Sequence, residues 1–163
     1  MKKNFLKNNN FRVVLVEPEI PSNTGNIGRT CVATGTRLEL VGPLGFKISS
    51  SRLKRAGLDY WPLLDWKYYA SWAIWEKQHP ENSRAWFFST KGQDSLYNAT
   101  FKPGDVLVFG RETGGLGKEI LNKYKKQTLA IPMSDQTRSL NLSNAVAITL
   151  YEALRQTKSF SKD

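Results

Sequence analysis

The feature that most constrains this chain is the alternation of short apolar runs with longer stretches whose apolar residues recur at helical spacing. Strand-like runs fall at Arg12 to Glu17, Leu38 to Val41, Ala85 to Ser89, Val106 to Phe109 and Thr128 to Ile131, with a weaker one at Pro62 to Trp66. Pro18 and Pro21 close the first run. A helix is predicted to follow, capped by Ser22, Asn23 or Thr24, carrying Ile27, Cys31 and Thr34 on one face and ending at Gly35. Lys67 to Gln78, with Tyr68, Trp72 and Trp75, and Ser143 to Gln156, with Val146, Leu150 and Leu154, read as further helices with packing stripes. Strands alternating with helices predict an α/β fold: a mostly parallel sheet with helices on both faces and ligands bound beyond the carboxyl ends of its strands.

A chain of 163 residues suits one domain. Residues 11–156 are expected to form it, with 1–10 a flexible basic tail and 157–163 a C-terminal tail. No apolar run reaches the roughly 20 residues that span a bilayer, and the N-terminus lacks the apolar segment of a secretory signal, so a soluble, cytoplasmic protein is expected. One cysteine, Cys31, and one histidine, His79, argue against a zinc site or a Ser-His-Asp triad. Cys31 reads as a small core residue and His79 as a solvated loop residue. No metal is expected.

Lys and Arg number 24 against 14 acidic residues, a net charge of +10 that favours polyanionic partners. The cations cluster at Lys2, Lys3, Lys7 and Arg12, at Arg52, Lys54 and Arg55, and at Lys123, Lys125 and Lys126, a distribution suited to a phosphate backbone. Four of the five tryptophans lie between Trp61 and Trp75. That patch reads as core or interface rather than as a stacking surface for bases.

Three polar segments stand out: Asn23-Thr24-Gly25-Asn26-Ile27-Gly28-Arg29-Thr30, Phe109-Gly110-Arg111-Glu112-Thr113-Gly114-Gly115-Leu116, and Ser139-Leu140-Asn141-Leu142-Ser143-Asn144-Ala145-Val146. Neither the Rossmann glycine spacing nor a P-loop is present. Taken singly, Gly25 and Gly28 suit close helix packing, and Asn141 and Ser143 suit capping. Taken together, the three segments resemble the signature motifs of the SPOUT class of RNA methyltransferases, in the expected order. Arg55-Ala56-Gly57-Leu58-Asp59-Tyr60-Trp61 and Glu17-Pro18-Glu19-Ile20-Pro21 are similar to the small family within that class that 2′-O-methylates the wobble nucleotide of tRNA. The resemblance covers residues 11 to 156.

It implies a deep C-terminal trefoil knot whose loops hold S-adenosylmethionine, with cofactor contacts carried over to Phe88, Gly110, Ile131, Ser139 and Leu140. It also implies a homodimer, its interface near Ile27 and Leu150, that grips tRNA with the catalytic domain itself. Arg29 is the residue assigned to the acceptor hydroxyl. Because a guanidinium stays protonated, binding a phosphate or stabilising an alkoxide suits it better than acting as a base. Glu112 and Asp59 are the nearby candidate carboxylates, although Glu112 can equally fix its loop by accepting backbone N–H bonds. Arg138 and Tyr151 complete the candidate catalytic set, with surface-charge and core readings open beside them. Arg29, Arg55, Arg138 and Asn141 are the expected RNA contacts.

Overall fold

The computed structural model describes residues 9–48, 55, 59–79 and 84–160. Lys2, Lys3, Lys7, Arg52, Lys54 and residues 56–58 of the Arg55–Trp61 segment lie outside the described residues.

The strands are β1 (Arg12–Val16), β2 (Arg37–Val41), β3 (Trp66–Tyr69), β4 (Ala85–Phe88), β5 (Asp94–Ser95), β6 (Val106–Phe109) and β7 (Thr128–Ala130). They form one sheet in the order β3-β2-β1-β6-β4-β7-β5, and every pairing is parallel. The helices are α1 (Pro21–Thr34), α2 (Trp72–Gln78), α3 (Lys118–Lys123) and α4 (Leu142–Gln156). Side chains alternate across each strand, so Val13, Leu15, Leu38, Leu40 and Leu107 join one core with Ile27 and Cys31 of α1 and Val146, Leu150 and Leu154 of α4. Val14, Val16, Phe87, Val106 and Val108 join a second core with Trp75 of α2 and Ile120 of α3. Covered on both faces, the central strands read as continuous apolar runs.

Several expectations change. The weak run at Pro62 to Trp66 is a 3-10 turn at Trp61–Leu63, and the strand lies later, so Lys67 to Tyr69 belong to β3 rather than to the following helix. Ser71, whose hydroxyl accepts the Ile74 N–H at 3.4 Å, sets the true start of α2. His79 is no solvated loop residue. It ends α2 with its ring stacked on Trp75 at 4.3 Å, its Nδ1 2.7 Å from the Trp75 carbonyl and its side chain 12% exposed. Residues assigned to the two tails pack on the domain: Asn9 is buried and bonds to Thr34 O at 2.8 Å, while Ser159 is buried and Phe160 packs on the core. Cys31 is buried as expected, and desolvation pushes its thiol up to about 12. Gly35 ends α1 in the left-handed conformation, φ 63°, that favours glycine.

Candidate active site

The carboxyl ends of β6, β4 and β7 lie side by side. Phe88 is in register with Phe109 on one flank and Leu129 on the other, which brings the expected cofactor residues Phe88, Gly110 and Ile131 to one edge of the sheet. The Phe88 and Phe109 rings stack at 4.8 Å. After β7, residues 132–141 form neither strand nor helix; Ser139 is exposed there and Leu140 half-buried.

Gly110 begins a tight loop in which Arg111 and Gly115 exchange backbone hydrogen bonds of 3.2 and 2.9 Å. A Cβ on Gly110 would lie 2.1 Å from the Gly115 carbonyl carbon, so the loop closes only on glycine. Gly92 meets the same condition beside β7, where a Cβ would stand 2.3 Å from the Leu129 carbonyl carbon.

This loop is joined to the entrance of α1 by two carboxylates pointing in opposite directions. Glu112 accepts the backbone N–H groups of Glu19 at 2.7 Å and Ile20 at 3.1 Å, and the Asn23 amide at 3.3 Å. Glu19 in return accepts the Thr113 N–H at 3.0 Å and the Thr113 hydroxyl at 2.8 Å. The Thr113 hydroxyl, then its backbone N–H, holds the Glu19 carboxyl below the usual range. The chain of bonds continues, because Asn141 donates to Asn23 Oδ1 at 3.0 Å while its own oxygen accepts the Ser143 N–H at 2.9 Å and caps α4. Thus Glu112, Asn23 and Asn141 tie the three polar segments together. The capping reading of Asn141 holds, but the cap of α1 is not Ser22, Asn23 or Thr24: its N-cap is Ile20, with no side-chain cap of its own, and Glu112 serves from 92 residues away.

Other candidates stand apart. Arg29 is exposed on α1, about 12 Å along the axis from Pro21 at the helical rise. Its guanidinium carbon lies 4.6 Å from the centre of the Tyr60 ring. Tyr151 is 45% exposed on α4, about 14 Å along the axis from Leu142, beside Phe160. Arg55, Asp59 and Arg138 are exposed. The chain therefore gathers Glu112 and Asn141 at the strand ends and leaves Arg29 and Tyr151 further along their helices.

Several cations are already paired, among them Arg111, just past β6, with Glu17, just past β1, at 3.5 Å. At the amino ends, Arg12 pairs with Glu39 at 3.5 Å, Arg37 with Asp65 at 3.7 Å and Arg84 with Asp105 at 2.8 Å. Lys125 and Lys126 sit at that end too, in the turn before β7, and Lys123 nearby pairs with Glu76 at 2.8 Å. Arg29, Arg55 and Arg138 form no ion pair among the described residues.

The model of the SpoU rRNA Methylase family matches residues 10–151. The chain belongs to that family. Among its relatives is the tRNA (cytidine(34)-2'-O)-methyltransferase of Polaromonas sp., 48% identical over 148 residues covering 90% of each chain. A protein whose solved structure gives insights into the 2-OH methylation of C/U34 on tRNA superposes with a TM-score of 0.86 at 49% identity, over 90% of this chain and 95% of that one. An AdoMet-bound rRNA methyltransferase from Sinorhizobium meliloti shares the fold at 25% identity and a TM-score of 0.81, covering 93% of this chain and 58% of its own. In this SpoU-family chain, sequence reasoning missed Glu19, Thr113 and Tyr60. The signals for Glu19 were its place in the Glu17–Pro21 segment and its position just before a helix start, where the helix dipole favours negative charge.

Proposed function

We propose that this chain methylates the ribose 2′-hydroxyl of the wobble nucleotide, cytidine or uridine, in tRNA. It acts in the cytoplasm as a homodimer, its 11–156 domain closed by a deep C-terminal trefoil knot. The bonded chain through Glu112, Asn23 and Asn141 carries the reading, because it assembles the three polar segments at one edge of the sheet. The match to wobble-nucleotide methyltransferases over 90% of the chain supports the acceptor.

The edge suits S-adenosylmethionine: Phe88, Ile131 and Leu140 offer apolar walls, and the loops at Gly110 and Ser139 offer backbone groups with little side-chain bulk. Once bound there, the cofactor supplies an electrophilic methyl group. The chain's own work is to align the acceptor oxygen and to favour its deprotonated form. Glu112 is better suited to holding the loop than to removing a proton, since its oxygens already accept three N–H donors. Arg29, permanently charged, stabilises the developing alkoxide or the neighbouring phosphate. Arg138 and Arg55 bind phosphate, and Tyr151 positions the substrate. The separation of Arg29 and Tyr151 from Glu112 within one chain favours a site shared across the dimer.

Mass spectrometry of tRNA from cells with and without the gene tests this. Loss of one ribose methyl at the first anticodon position, restored by purified protein and S-adenosylmethionine, is expected. Loss at another tRNA position, or in ribosomal RNA, assigns a different acceptor; no lost methyl anywhere overturns the enzyme reading.

A further inference from the structure

Arg29 has a long, rotatable side chain on an exposed helix face, a poor arrangement for a group that must meet one oxygen at the moment of reaction. Its guanidinium nevertheless has a fixed neighbour, the half-buried Tyr60 ring, 4.6 Å away from centre to carbon. The segment that carries Tyr60 is itself held in place. The Tyr60 carbonyl accepts the Leu63 N–H at 2.9 Å, Trp61 packs on Trp66 of β3 at 5.3 Å, and the turn sits directly on α1. Gly28, the residue before Arg29, lets the turn seat closely: a Cβ there would stand 3.2 Å from Leu64 Cδ2 and 3.3 Å from Trp61 Cζ3, close enough to press the turn outward. A guanidinium seated over the face of a ring is held near it without spending its N–H groups, which stay available for an oxygen or phosphate, whereas an acid partner would occupy them.

We propose that Tyr60 is a positioning residue for Arg29, holding the guanidinium over its ring so that the N–H groups are presented to the acceptor nucleotide. The inference rests on the reading that Arg29 acts on the acceptor. It requires only the face of the ring, not its hydroxyl, and so distinguishes Tyr60 from a proton acceptor.

The test uses the full chain with tRNA and S-adenosylmethionine, under single-turnover conditions at saturation of both. Tyr60→Leu is expected to slow methyl transfer about 10-fold, the scale of a lost cation–π contact, with cofactor affinity and melting temperature unchanged. Tyr60→Phe should restore the rate. In an Arg29→Ala background, Tyr60→Leu should cost nothing further. A Tyr60→Leu loss of equal size in both backgrounds would make the ring a structural prop and overturn the proposal, as would failure of Tyr60→Phe to rescue. Normal transfer by Tyr60→Leu beside a disabled Arg29→Ala overturns this inference alone, whereas normal transfer by Arg29→Ala overturns both it and the role given to Arg29.

Discussion

Both oxygens of Glu112 are committed to the entrance of α1, which gives its substitution a signature unlike that of a catalytic base. Glu112→Gln keeps the shape but removes the charge from a helix N-terminus and strands one backbone donor, so about 1–3 kcal/mol of stability should be lost. Chemical denaturation measures that loss, and cofactor affinity by calorimetry should fall with it. Arg29→Ala should behave in the opposite way, slowing turnover by about 10²-fold or more while cofactor affinity holds, if its charge stabilises the transferring oxygen. Glu19 adds a pH dependence. Its carboxyl is held below the usual range by the Thr113 hydroxyl and N–H, so its contribution is complete above the ordinary glutamate value and is lost as pH falls through the lowered folded one. Thermal melts of wild type and Thr113→Val across the acid range should converge at low pH; curves that stay parallel would show that the Glu19–Thr113 contact does not stabilise the fold.

Among the elements, β1, β4 and β6 were legible because buried parallel strands announce themselves as apolar runs, while β2 and β7 showed through although Glu39 interrupts the one and Thr128 opens the other. β3 was displaced because Tyr68, Trp72 and Trp75 mimic a helical stripe while a strand edge orders the first of them. β5, of two residues, and α3, of six, are too short for periodicity to register. Phe88, Gly110 and Ile131, the residues expected to contact the cofactor, were legible as strand ends. What could not be read was which partner each polar side chain finds across 89 to 118 residues, as in the Glu112–Asn23 and Asn141–Asn23 contacts. On the opposite face, buried Glu39 accepts the Trp75 indole N–H at 2.6 Å and pins α2 to β2. Trp75→Phe leaves that carboxylate short of a donor and should cost about 1–3 kcal/mol without altering cofactor affinity. Gly110→Ala should fail more broadly, since its methyl would strike backbone; hydrogen exchange should show the 110–116 loop deprotected and the β1–β2 pairing intact.

For the whole molecule, the stripe expected to form a dimer interface turns inward. Val146, Leu150 and Leu154 are fully buried in the core of the chain itself, together with Ile27. The outer face of α4 instead presents Ile148, 37% exposed, and Tyr151, 45% exposed. Replacing both with Glu should convert a dimer to a monomer in sedimentation at low micromolar concentration, with the melting of the protomer little changed. A variant that still sediments as a dimer would place the interface elsewhere. The pairing of cations at the amino ends of the strands carries a consequence for how this surface meets a polyanion. Arg12, Arg37 and Arg84 already face carboxylates, so they neutralise fewer phosphates and displace fewer of the cations condensed on the RNA. Association should therefore liberate far fewer small ions than 24 basic side chains suggest, and the logarithm of the tRNA affinity should fall with added salt by only about 0.7–0.9 per phosphate engaged by unpaired groups such as Arg29, Arg55 and Arg138.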